Sequence, residues 1–140
     1  MKSVVLDASA AVELVCRTAT GEEVGRLITV DKVVWVPDGI FDVEVNATLR
    51  RLELRGRLTT TQCAAARLRL GRLRLGRLRL RRRRVANLAD RAWSLRSNIT
   101  FPDACYVALA ETLGCSLLTT DMKLVDAPTL PVATLHPAHD

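Results

Sequence analysis

Aromatic residues are scarce in this chain. Two Trp, one Tyr and two Phe make up 4% of its 140 residues. A surface that binds single strands by base stacking needs exposed rings. Trp35, Phe41, Trp93, Phe101 and Tyr106 all sit in apolar patterns that predict core positions instead. Histidine is scarcer still: His136 and His139 form an H-x-x-H pair, and two ligands make no complete zinc site. The four cysteines, Cys16, Cys63, Cys105 and Cys115, show no metal-ligand spacing, and each lies among apolar residues. They read as small buried hydrophobes in a reducing compartment. No apolar run reaches the length of a membrane span. The opening MKSVVLDASAAVELV is broken by Asp7 and Glu13, which makes it a poor secretion signal. These absences predict a cytoplasmic protein with no membrane partner, most simply one domain over residues 1–140.

Acid is missing from one place. Residues 67–84 read RLRLGRLRLGRLRLRRRR, with ten Arg and no Asp or Glu. The rest carries 11 Lys and Arg against 15 Asp and Glu, so the formal +6 conceals a body at −4. One basic segment on a mildly acidic body suggests a polyanion met along one face. The plainer reading is a solvated surface segment. Arg81, Arg82, Arg83 and Arg84 are the candidates for RNA phosphate, since guanidinium pairs well with phosphate and is no base at neutral pH. The unit RLRLG fits neither helical nor strand period throughout. A helix end, a joint weakened by Gly and a short strand near 77–82 are expected. Its leucines form no single helical face, which disfavours a membrane-surface role.

The rest alternates strand and helix. SVVL at 3–6 and the run at 33–36 read as strands, the second stopped by Pro37. Helices are expected at 8–17, 20–28, 39–55, 59–70, 85–96 and 100–113. On the third, Phe41, Val45, Leu49 and Leu52 share a stripe. Two further strands are expected at 116–119 and 131–135. The class is α/β with a mostly parallel sheet.

Four acids stand out by position. Asp7 ends the first strand, where open parallel sheets bind ligands, although it could equally cap the next helix. Glu44 borders the apolar stripe of its helix, with Ala47 and Thr48 and no cation at the next turn. Asp103 would be the third residue of a helix capped by Thr100, and Pro102 restrains Phe101 toward extended geometry. Asp121 ends a strand and could be a turn or cap residue. Each has a structural explanation alone. Together, four carboxylates suit one or two hard divalent cations such as Mg²⁺ or Mn²⁺, which polarise a phosphodiester and activate water.

VVLDASA at 4–10, PDGIFDVEVNATLRRLELRGRLT at 37–59, DACYVALAETLG at 103–114 and LLTTDMKL at 117–124 together resemble the PIN-domain ribonucleases. The likeness is strongest to the toxins of the virulence-associated VapBC pairs. It implies a three-layer α/β/α sandwich and Mg²⁺-dependent endoribonuclease activity. It also implies a homodimer and a cognate VapB-type antitoxin as partner. Carried over, Asp7, Glu44, Asp103 and Asp121 would form the acidic metal site, with Asp7 and Asp103 foremost as ligands. Ser9 and Thr119 or Thr120 would orient ligands or water. The rival reading is a noncatalytic nucleic-acid-binding domain that works through residues 67–84. A PIN-like scaffold without metal is a third, opposed by the presence of all four acids.

Overall fold

The computed structural model describes residues 2–28, 31–73 and 79–137. The elements are β1 (Lys2–Leu6), α1 (Ala8–Cys16), α2 (Ala19–Leu27), β2 (Lys32–Asp38), α3 (Ile40–Leu54) and α4 (Thr60–Arg72). After them come β3 (Arg79–Arg84), a 3₁₀ turn (Val85–Asn87), α5 (Ala89–Ser94), α6 (Phe101–Leu113), β4 (Ser116–Leu118), α7 (Met122–Val125) and β5 (Thr134–Leu135). The five strands form one parallel sheet in the order β3-β2-β1-β4-β5.

That order explains the layers. From β1 to β3 the chain steps one way across the sheet, and from β3 to β4 it reverses past β1. Right-handed crossovers then put α1 to α4 on one face and α5 to α7 on the other. The packing agrees: α1 lies against α2, α3 and α4, while α5 packs on α6 and α6 lies on β1, β2 and β4. The result is the expected α/β/α sandwich. Its sheet core is Val4, Val5, Leu6, Val34, Val36, Leu117 and Leu118, all buried, as befits strands covered on both faces. Every residue of α6 from Ala104 to Ala110 is buried. Gly21 allows α2 to meet α1, because a Cβ there would lie 2.0 Å from the Glu13 carbonyl oxygen.

Local expectations needed correction. Pro37 does not stop β2, which runs on to Asp38. The β1 pairing ends at Trp35, so the missing N–H of Pro37 falls where one side of β2 is free of a partner strand. Pro102 does not keep Phe101 extended: Phe101 begins α6, and Pro102 sits in the first turn, where no intrahelical N–H is needed. The helix expected over 85–96 is a 3₁₀ turn followed by the six-residue α5, and it turns Trp93 out to 60% exposure rather than into the core. Phe101 is also exposed, at 37%. The strand expected near 77–82 lies at 79–84. Gly71 falls inside α4, and residues 74–78 of the repeat lie outside the described residues. The one-turn α7 was not anticipated.

Candidate active site

The reversal of strand order puts a crevice at the carboxyl ends of β1 and β4, the place where open parallel sheets bind ligands. Asp7 leaves β1 there, and its N–H donates to the Leu118 carbonyl at 2.9 Å, tying the two strand ends together. Asp7 occupies the N-cap position of α1, yet its side chain makes no cap bond. Its Oδ2 instead accepts from Ser9 Oγ at 2.5 Å and from Thr119 Oγ1 at 2.9 Å. Ser9 Oγ accepts in turn from the Thr120 N–H, and Thr119 Oγ1 from the Asp121 N–H, both at 3.0 Å. One small network therefore fixes the ends of both central strands.

The other acids arrive from helices. Asp103 is the third residue of α6, and its N–H donates to Thr100 Oγ1 at 3.3 Å, as a capping residue's neighbour should. Asp121 caps α7 and accepts from the Lys123 N–H at 3.0 Å. Glu44 is half-buried on α3. Its Oε1 is cut off from solvent without a hydrogen-bond partner, and so is Tyr106 Oη. Tyr106 is close enough to pull the Glu44 pKa down, but the two oxygens do not meet at hydrogen-bond geometry. Asp7, Ser9, Glu44, Asp103, Thr120 and Asp121 all line one cleft of about 360 Å³, with Thr119 buried at its base. Glu13, Thr48 and Arg51 line it as well, and Arg51 is the one cation among its lining residues.

Burial and mutual repulsion mark the electrostatics. Burial pushes the Asp7 carboxyl up; the Ser9 and Thr119 hydroxyls offset part of this, and the charge on Asp121 adds to it. Glu44 is raised first by burial and then by Asp7 and Asp103, against the pull of Tyr106. Asp103 is raised by burial and by Asp7, with Asp121 adding and Thr100 and Lys123 opposing. The cleft thus holds acceptor oxygens and negative charge that the protein itself does not neutralise. Among the described residues no group of three or more His, Cys, Asp or Glu is arranged to hold a metal ion directly. The cleft's donors are carboxylate and hydroxyl oxygens, the kind that hard cations such as Mg²⁺ take.

The PIN domain family model matches residues 4–130. This chain belongs to the PIN domain family. Its curated relatives are VapC-type members. Ribonuclease VapC1 of Mycobacterium tuberculosis is 35% identical over 131 residues, covering 94% of this chain and 95% of the relative. Ribonuclease VapC3 of the same organism is 38% identical over 126 residues, covering 90% and 88%. Among solved structures, VapBC2 from Rickettsia felis, bound to a promoter DNA fragment, superposes with a TM-score of 0.65. It shares 14% identity and covers 96% of this chain and 98% of its own. Mycobacterium tuberculosis VapC20, a Sarcin-Ricin loop cleaving toxin, gives 0.60 at 22% identity over 86% and 92%. These two share the fold.

In this PIN domain the arginines expected to meet RNA are not equivalent. They lie on β3, two strands from β1 and so on the order of 10 Å away. Arg82 is held by Asp42, to which its second amino group donates at 3.1 Å, and by Asp38 at 3.2 Å. Its side chain is 22% exposed. It straps β3 to α3, the helix that carries Glu44. The Arg83 guanidinium lies over the Trp35 ring, 5.3 Å from its centroid. Arg81 and Arg84 are exposed. His136 Nδ1 sits 3.2 Å from the Thr119 carbonyl oxygen, and His139 lies outside the described residues. Tyr106 and Arg51 were not anticipated at the site. Tyr106 follows Asp103 by three residues on one helix, and Arg51 follows Glu44 by seven, so helical spacing carried the signal for both.

Proposed function

We propose that this chain is the toxin of a type II toxin–antitoxin pair, an endoribonuclease that hydrolyses RNA phosphodiesters in the four-acid cleft with a divalent metal. The observation that carries this reading is the meeting of Asp7, Glu44, Asp103 and Asp121 in one cleft at the switch point, three of them raised in pKa by burial and by one another. The names of the curated relatives, each a VapC ribonuclease, support it. A noncatalytic nucleic-acid-binding domain would leave this cleft without a purpose.

Asp7 and Asp103 would hold Mg²⁺, or Mn²⁺ in its place, with Glu44 and Asp121 reaching it directly or through its waters. When bound, the ion neutralises the acids, polarises the phosphodiester and lowers the pKa of the attacking water. The chain's own residues do the positioning. Ser9 and Thr119 fix the Asp7 carboxylate through Oδ2, and a carboxylate has about four acceptor sites, so capacity remains for a ligand. The Lys123 N–H fixes Asp121. Arg51 supplies positive charge at the cleft wall for a phosphate. Arg81 and Arg84 draw RNA along the sheet edge, while Arg82 and Arg83 are engaged inside the fold.

The partners follow from the same reading. VapBC2 is a solved complex of this fold, which supports a VapB-type antitoxin here. Such an antitoxin would cover exposed apolar side chains and place a basic group in the acid cleft. Val43 and Leu54 on α3 and Leu68 on α4 are exposed and available to the antitoxin or to the second chain of a homodimer. The proposed site of action is the cytoplasm; no described helix is long and apolar enough to cross a membrane. The test is to incubate the pure chain with total RNA, with and without Mg²⁺, and map the cut ends. Cleavage only with metal, leaving 5′-phosphate and 3′-hydroxyl, is expected. Full activity in excess EDTA, or 2′,3′-cyclic phosphate ends, contradicts the chemistry.

A further inference from the structure

We infer that a second cleft, beside the acids on the β4 side, seats a nucleotide that flanks the bond to be cut. The inference rests on the ribonuclease reading and adds where the substrate leaves the acid cleft. The second cleft measures about 420 Å³, within the usual range of about 300–1,000 Å³ for ligand pockets. Arg96, Asn98, Thr100 and Lys123 line it, and Asp103 lines both clefts, so the two adjoin at that residue.

Charge changes sign across Asp103. On one side stand the other carboxylates of the acid cleft. On the other stand Arg96 and Lys123, with no acid but Asp103 in the lining. An RNA strand carries a negative charge at every phosphate, and a cleft of acids repels it. A pair of cations next to that cleft selects one path for the strand. Neither Arg96 nor Lys123 forms an ion pair within 4.0 Å among the described residues. Arg96 is also held ready. Its guanidinium lies 4.7 Å from the Trp93 ring centroid and donates to the Trp93 carbonyl at 3.0 Å. Little side-chain freedom is then lost on meeting a phosphate. Among the described residues the Asn98 side chain bonds only to Thr129 Oγ1, at a long 3.4 Å, so its amide is available to a ribose or base edge. Arg81 and Arg84 lie toward the opposite edge of the sheet, beyond β2. A strand drawn in there and led out here crosses the acids.

The test is binding of a fluorescein-labelled single-stranded RNA dodecamer to the cleavage-deficient D7N chain, as a function of salt, with and without R96Q/K123Q. Each phosphate contact on a single strand adds about 0.7 to the slope of log K against log salt, so the double change should lower it by about 1.4. Between 1 M and 0.15 M salt that amounts to roughly fifteenfold in affinity. A charge-matched pair that lines neither cleft, K2Q/R57Q, with Lys2 at the start of the central strand β1 and Arg57 in the turn after α3, should change affinity by less than about threefold. An unchanged slope in R96Q/K123Q, or an equal loss in K2Q/R57Q, overturns the inference while leaving the ribonuclease reading intact, provided that the unsubstituted chain cuts RNA. An unsubstituted chain that neither binds nor cuts RNA ends both.

Discussion

Thr119 ties two acids of the cleft together, Asp7 and Asp121. It is fully buried. Its hydroxyl donates to Asp7 Oδ2 at 2.9 Å and accepts from the Asp121 N–H at 3.0 Å. Thr119→Val keeps the branched shape and removes both bonds. A hydrogen bond to a charged group contributes about 1.5–3 kcal/mol and a neutral one about 0.5–1.5 kcal/mol. Asp7 keeps its Ser9 partner, so the low part of each range applies, and the sum is about 2–3 kcal/mol. For a chain of this size that lowers Tm by roughly 6–12 °C. Thr119→Ser keeps the hydroxyl and loses one methyl, at a cost of about 1 kcal/mol. Urea unfolding gives the stabilities, and single-turnover cleavage of RNA gives the function. The Val variant should cut at least about tenfold more slowly because Asp7 is no longer fixed, and the Ser variant should stay near the unsubstituted rate. Equal stability of the two variants, or an unslowed Val variant, would refute the positioning argument.

Three further outcomes are expected. Arg82→Gln should cost about 1 kcal/mol in urea unfolding, because it breaks a half-exposed strap to Asp42 and Asp38, whereas Arg81→Gln should cost less than about 0.5 kcal/mol. Equal costs would remove the distinction between the two. Without metal, stability should fall as pH rises above the ordinary carboxylate range, near 4. Asp7, Glu44 and Asp103 keep their protons in the folded chain at pH values where the unfolded chain has lost them. Thermal unfolding across pH, with and without Mg²⁺, should show that loss reduced by the ion; a stability that rises through the same window contradicts the sign. Finally, R81Q/R84Q should lower the salt slope of RNA binding by about 1.4 with little change in the saturated single-turnover rate. A lost rate with normal binding would put these arginines in the chemistry.

The fold was legible where residues act locally. Buried strands announced themselves as the SVVL and SLLT runs, and α3 by the stripe of Phe41, Val45, Leu49 and Leu52, of which the first three are buried and Leu52 is partly buried. Thr100 and Gly114 mark the ends of α6 as capping chemistry requires. The four acids were legible because each stands next to such an element end or stripe. What escaped depends on distant partners. Nothing near Arg82 in sequence reveals that Asp42 lies opposite it, 40 residues away. The break between the 3₁₀ turn and α5 turns Trp93 outward, although its apolar neighbours suggested burial. Tyr106 was read as core, and it is buried. Its unpartnered hydroxyl beside Glu44 becomes visible only once α6 and α3 are packed together.

On the proposed function the acid cleft cuts RNA. The most direct test is the single-turnover rate of Asp103→Asn, with Mg²⁺, on an RNA that the unsubstituted chain cleaves. The amide keeps the shape and the Thr100 cap, because the cap bond uses the backbone N–H of this residue. It removes the charge that would hold the ion. The expected result is a folded chain, with a Tm no lower than that of the unsubstituted protein because a repelled carboxylate is gone, and no measurable cleavage. Cleavage at the unsubstituted rate would contradict it.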